Sequence, residues 1–167
     1  MSTKSAVSIE EYLRTSFEGL DREYVDGEIV ERTLPDYLHS KTQCRLSGLI
    51  WDLSKTRPFY GTTELRSRVT RTRVRIPDVS IYAGVEPTER FPSQPPLVAI
   101  EILSPDDRDS KVMQKPEEYR AWCVPHIWLV DPEGRSLHVY AKGALSEVPA
   151  LTIPEFEVQL IGAEIFG

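Results

Sequence analysis

The sequence predicts an α/β fold in one domain, on three observations. Short runs of strand composition alternate with stretches of helical periodicity along the chain. Residues 97–103, Leu-Val-Ala-Ile-Glu-Ile-Leu, carry one charge, Glu101, with apolar residues on both sides, the pattern of a strand buried on both faces. Asp26-Gly27 lies between Arg22-Glu23-Tyr24-Val25 and Glu28-Ile29-Val30-Glu31, the preferred two-residue turn of an antiparallel hairpin. A length of 167 residues suits a single domain, residues 1–167, with a sizeable core.

In order along the chain, Ser8-Ile9-Glu10-Glu11 has capping-box form and predicts a short helix to Arg14. The Asp26-Gly27 hairpin follows. Asp36 then predicts the N-cap of a helix running to Ser54, with Leu38, Leu46, Leu49, Ile50 and Leu53 on one stripe and His39 in the first turn. Arg57-Pro58 through Gly61-Thr62 breaks the chain. Residues 63–69 and 74–82 are strand-like, joined by a turn near residues 70–72. Residues 84–96, with Gly84, Pro87, Pro92, Pro95 and Pro96, make a surface loop.

The 97–103 strand ends at Ser104-Pro105. Helical character then runs to Trp122, interrupted or restarted at Pro116. Residues 126–130 and 136–141 are strands around an Asp131-Pro132-Glu133-Gly134 turn. The apolar residues of 148–166 are expected to pack back on the body.

Charge and composition exclude some functions. A hydrophobic content of 40% and a charged content of 28% are those of a globular protein. No apolar run is long enough to span a bilayer. The N-terminal Met-Ser-Thr-Lys-Ser lacks the apolar core of a signal peptide. Cys44 and Cys123 have no metal-type spacing. These features predict a cytoplasmic protein. A net charge of −6 argues against broad nucleic-acid affinity, but Arg66, Arg68, Arg71, Arg73 and Arg75 form a basic stretch with no acid among residues 66–75.

The chemistry sits at two acids. Asp78, between Ile76-Pro77 and Val79-Ser80-Ile81, and Glu101 both lie in apolar strand contexts. A buried carboxylate requires a partner. That partner is either an arginine such as Arg75 or a metal ion. Two carboxylates on neighbouring strands can share one divalent cation. Such an ion activates water and offsets charge on a phosphate, and a nearby lysine helps.

At these residues the chain resembles the Uma family of bacterial endonucleases (branch two), within the PD-(D/E)xK restriction-endonuclease-like superfamily. Glu23-Tyr24-Val25-Asp26-Gly27-Glu28 resembles its N-terminal hairpin, and His39 a histidine that opens its first core helix. Ile76-Pro77-Asp78-Val79 resembles the PD motif, and Glu101-Ile102-Leu103-Ser104-Pro105 the E-x-x-S-P segment. Lys115 and Tyr119, followed by the stretch from Val124-Pro125-His126 to Val130-Asp131-Pro132, resemble the next helix and strand.

The resemblance implies a mixed sheet flanked by helices and Mg²⁺- or Mn²⁺-dependent hydrolysis of DNA phosphodiesters. It implies Asp78 and Glu101 as metal ligands, Lys115 and His39 as further active-site residues, and a homodimer. It also departs from the pattern in three places. Leu103 stands where the strict motif has lysine, so the lysine is displaced onto the following helix, at Lys115 or Lys111. Pro116 directly follows Lys115. If the helix restarts at Pro116, Lys115 becomes its cap, and the helix dipole lowers its pKa toward that of a base. Cys123 stands where the family often has Gly.

The alternative is a catalytically inactive nucleic-acid-binding or dimeric scaffold protein of the same fold. The hairpin acid Glu23 reads as surface, with a further outer-sphere acid of the site as its alternative, and Tyr119 reads as packing. The Arg66–Arg75 hairpin reads either as a phosphate contact or as a solvated or dimer face.

Overall fold

The computed structural model describes residues 6–107 and 113–167. Ser8 caps α1 (Ile9–Arg14), accepting from the Glu11 amide, one of those a first helical turn leaves unpaired. β1 (Glu23–Val25) and β2 (Glu28–Val30) form the expected hairpin. Asp26 and Gly27 turn it with φ of 50° and 95°, whose twist matches the flanking strands. Asp36 accepts from the His39 amide and opens α2 (Tyr37–Ser54). The buried stripe of α2 is His39, Thr42, Leu46 and Ile50, whereas Leu38 is 40% exposed. The first turn of α2 faces a polar site and not the apolar core, so His39 takes the inward position expected of Leu38.

The break expected after Pro58 is instead a strand, β3 (Phe59–Thr63). Gly61 reads as a turn residue but serves close packing: a β-carbon there would lie 2.7 Å from Ile50 Cγ2 of α2. β4 (Ser67–Thr70) and β5 (Arg73–Arg75) form the next hairpin, and β6 (Val79–Ala83) follows. The single strand expected over residues 74–82 is therefore two strands in different sheets. The Ile76 amide is taken by the Glu23 carboxylate, and Pro77 has no N–H to offer a ladder. The chain leaves β5 there and crosses to β6.

β7 (Val98–Ile102) precedes α3 (Gln114–Ala121), and β8 (His126–Asp131) and β9 (Ser136–Ala141) match expectation. The last part of the chain holds β10 (Ala144–Val148), β11 (Ala150–Ile153), β12 (Val158–Ile161) and α4 (Gly162–Phe166). It packs back as expected: Leu151, Ile153, Leu160 and Ile165 join the main core.

The spine is a six-stranded mixed sheet in the order β10-β9-β8-β7-β6-β3. Its pairs are antiparallel except β7–β8, which is parallel and bridged by the crossover that contains α3. Val79, Ile81, Val98, Ile100 and Trp128 pack in one core with Leu46 and Ile50 of α2. Ala99, Ile127 and Leu129 pack in a second with Tyr119 and Val124. β7 thus buries both faces. A four-stranded sheet, β2-β1-β5-β4, stands beside it. No helix of the described residues is long and apolar enough to cross a membrane.

α3 ends on Cys123 in the left-handed region, φ 68°, with the Val124 amide donating to the Tyr119 carbonyl at 3.0 Å. A β-carbon in that conformation costs about 1 kcal/mol or more, which glycine avoids. Cys123→Gly is expected to stabilise the protein by about 0.5–1 kcal/mol after the unfolded-state entropy of glycine is counted. That corresponds to a rise in Tm of about 1–4 °C in thermal melts. A variant melting at or below the parent would show that the cap is relaxed as it stands.

Candidate active site

The cross-strand register pairs Val79 with Ile100. One step further along that register, Asp78 faces Glu101 at the end of the two strands. Both are held firmly. Asp78 is 4% exposed. Its Oδ2 accepts from the Ile102 amide at 2.7 Å and lies 3.3 Å from His39 Nε2, and its Oδ1 accepts from Arg32 Nη2 at 3.1 Å. Glu101 Oε1 accepts from the Tyr119 hydroxyl at 2.6 Å, and Oε2 from Lys115 Nζ at 3.2 Å. Lys115 also lies 3.0 Å from Glu23 Oε1. Glu23 in turn accepts from Arg75 Nη1 at 2.8 Å and from the Ile76 amide at 3.0 Å.

The site therefore comes from six places in the fold: the β1–β2 hairpin, the link from β2 to α2, the first turns of α2, the end of β3, the facing ends of β6 and β7, and the first turns of α3. The fold brings His39 to Asp78, sets Asp78 opposite Glu101, and brings Lys115 to Glu101. Lys111 lies outside the described residues. Tyr119 is buried, and beyond packing it donates to Glu101. Glu23 is 2% exposed, not a surface acid. Hairpin charges are usually solvated, but here the four-stranded sheet closes over this one. Arg75 pairs with Glu23 and Glu118 and with neither Asp78 nor Glu101. Arg66 is locked onto Asp21, and Arg73 onto Asp26 and Glu118, so three of the five arginines are paired within the fold.

Three participants carried no signal that sequence reasoning used. Arg32 bridges Glu64 and Asp78, and Gln43 Nε2 donates to Glu64 Oε1 at 2.8 Å and to the Asp78 carbonyl at 2.9 Å. Gln43 could have been found, since it stands four residues after His39 on the same helical face. Glu64 has φ 53°, an uncommon conformation for a residue with a side chain, directly after β3.

Charge sets the protonation states. Burial raises the Asp78 carboxyl, but His39 and the Ile102 amide outweigh it and hold the pKa below its ordinary value. Burial likewise opposes charge on His39, yet Asp78 and Glu64 raise its pKa and favour the imidazolium. Glu101 goes the other way. Burial, with Asp78 and Glu23 close by, outweighs Lys115 and pushes it up to about 7. For Lys115, burial works against the charge, but Glu101, Glu23 and Asp78 raise its pKa above the ordinary lysine value.

This corrects the expectation of a lysine tuned toward a base. α3 starts at Gln114, so Lys115 lies inside the first turn and is not the cap. Two carboxylates about 3 Å away outweigh the helix dipole.

The donor set fits a divalent ion in kind. Asp78 and Glu101 are hard oxygen ligands, and burial, with Asp78 and Glu23 nearby, disfavours charge on Glu101. Yet among the described residues no group of three or more His, Cys, Asp or Glu is drawn together as a metal centre. Arg32 and Lys115 already occupy the carboxylates.

A pH-dependent prediction follows from Glu101. Its folded pKa of about 7 lies above its ordinary 4.5. The folded state therefore holds a proton that the unfolded chain has lost, and stability falls as pH rises from about 4.5 to 7. Glu101→Gln removes that loss. In chelator-treated protein the variant should gain on the parent across this window, by of order 1–3 kcal/mol at pH 8, in urea melts. A difference that is constant from pH 5 to 8 would contradict it.

A family model described as "Uma2: Putative restriction endonuclease" matches residues 9–166. A crystal structure described as that of a "putative nuclease belonging to DUF820", from Anabaena variabilis ATCC 29413, is similar in fold. It has a TM-score of 0.81 and 23% sequence identity, and the match covers 96% of this chain and 97% of that one. No curated protein matches the chain. The fold is thus a restriction-endonuclease-like core: a mixed central sheet flanked by helices, with an N-terminal β-hairpin.

Proposed function

The chain belongs to the Uma2 family, described as putative restriction endonucleases, and from that premise we propose that it is a DNA endonuclease using a divalent ion held by Asp78 and Glu101. The observation that carries this reading is the meeting of these two acids with Lys115 at the ends of adjacent strands. The ion, Mg²⁺ or Mn²⁺, when bound would polarise a phosphate oxygen and acidify a water.

The protein residues do the rest. His39 and the Ile102 amide fix Asp78 Oδ2, and Tyr119 fixes Glu101 Oε1. Lys115, whose charge Glu101, Glu23 and Asp78 favour, stabilises negative charge that develops on the phosphate. Of the basic hairpin, Arg68 and Arg71 remain for contacts with the DNA backbone, since their neighbours are internally paired. By resemblance the products carry a 5′-phosphate and a 3′-hydroxyl. The chain acts as a single domain in the cytoplasm. Since the described residues offer one such site, cutting a duplex on both strands calls for a two-fold dimer.

The test is supercoiled plasmid incubated with Mg²⁺, with Mn²⁺ and with chelator. Nicked or linear product is expected with either ion and none with chelator. A second reading is favoured by the Arg32–Asp78 and Lys115–Glu101 pairs: a non-catalytic DNA-binding or dimeric protein of this fold. Binding of plasmid without cleavage under every ion would establish it.

A further inference from the structure

We propose that Arg32 is a built-in counter-ion of the acidic site, and that a divalent ion takes Asp78 by displacing the Arg32 guanidinium. This rests on the metal reading above and adds a regulatory element to it. The Arg32 side chain is 9% exposed, and its two terminal nitrogens divide between Glu64 and Asp78. The two oxygens of Asp78 are not equivalent. Oδ2 is fixed by the Ile102 amide and His39, both part of the sheet-and-helix frame. Oδ1 accepts from Arg32, the hydrogen bond the structure gives it, so an ion bound to Asp78 competes with Arg32 first.

Arg32 can leave. It stands in the irregular link between β2 and α2, among exposed residues, and no backbone ladder holds it. Glu64 is the other half of the arrangement. A left-handed backbone is uncommon at a glutamate and is kept only where the surroundings hold it. Here it places the Glu64 carboxylate against Arg32, and Gln43 steadies it. When Asp78 lets go, Glu64 still holds the guanidinium by its other nitrogen. The charge is kept beside the site, and no buried arginine is left unpaired. The Asp78 carboxylate of the metal-free site is thereby balanced by a cation of the chain itself. The apparent affinity for metal is lowered by the fraction of molecules in which Arg32 sits on Asp78.

Calorimetric titration with Mn²⁺ tests this on the full chain, its Arg32→Met and Asp78→Asn variants and the double variant. Arg32→Met should bind Mn²⁺ about tenfold tighter or more than the parent. Its metal-free melting temperature should be lower, and its rise on adding Mn²⁺ larger. Arg32→Lys keeps the charge but cannot bridge both acids, so it should tighten binding by a smaller factor. It also serves if Arg32→Met fails to fold.

Unchanged or weaker Mn²⁺ binding in a folded Arg32 variant, while Asp78→Asn abolishes it, overturns the counter-ion alone. No Mn²⁺ binding in the parent or in any Arg32 variant overturns the metal reading and the counter-ion with it. Mn²⁺ binding seen only once Arg32 is replaced supports both.

Discussion

Asp78→Asn is expected to reduce metal-dependent plasmid cleavage by about 10³-fold or more and to abolish Mn²⁺ binding in calorimetry. The substitution keeps the shape but removes the charge and one of two oxygens. The remaining oxygen has a fixed employer, the Ile102 amide at 2.7 Å. The new NH₂ then faces Arg32, so a donor meets a donor where an ion would need a ligand. Stability will also fall, because removing one partner of a buried ion pair leaves the other short of its counter-charge. Glu64 limits that loss by keeping its hold on Arg32. Circular dichroism and a urea melt alongside the assay separate the two effects. Cleavage close to the parent rate in a folded Asp78→Asn protein would remove Asp78 from the metal site.

The second large effect is expected at Lys115. Lys115→Ala should slow cleavage by about 10²–10³-fold while leaving Mn²⁺ binding in place. The lysine touches Glu101 and Glu23 but carries no oxygen to offer an ion, and its removal takes a positive charge away from the acids. Its pKa is raised, so it remains charged throughout the range in which the protein can be assayed. The pH–rate profile of the parent should accordingly show no limb that disappears in Lys115→Ala. Such a limb would restore the lysine as a base. Lys111→Ala should cost less. Equal losses in both variants would show that the displaced lysine has been misplaced.

Much of this was legible in the sequence where local rules decide it. Ser8, Asp26-Gly27 and Asp36 each meet a backbone need of their own neighbours, and each predicted its element. Asp78 and Glu101 were legible because a charge inside an apolar strand run is conspicuous. Local rules failed where the tertiary partner decides. Gly61 looked like a turn because nothing in residues 57–63 shows that Ile50 lies over it. Glu23 looked solvated because the sheet that covers it is completed by β5, about fifty residues later. Arg32 and Glu64 were missed for the same reason: each is an ordinary charge in a polar stretch until the fold sets them against Asp78.

The spatial order of the six-stranded sheet has a consequence for how the chain is made. Read from β3, the strands β6, β7, β8, β9 and β10 follow in the order in which a ribosome would release them. Each emerging strand finds its neighbour already present at the open edge, and the sheet never has to part to admit a later one. The longest wait is between β7 and β8, where the parallel pairing needs the whole crossover to appear. Lys115 arrives within that crossover. In the order of synthesis Asp78 and Glu101 therefore both precede their lysine, and Arg32, the partner of Asp78, precedes all three.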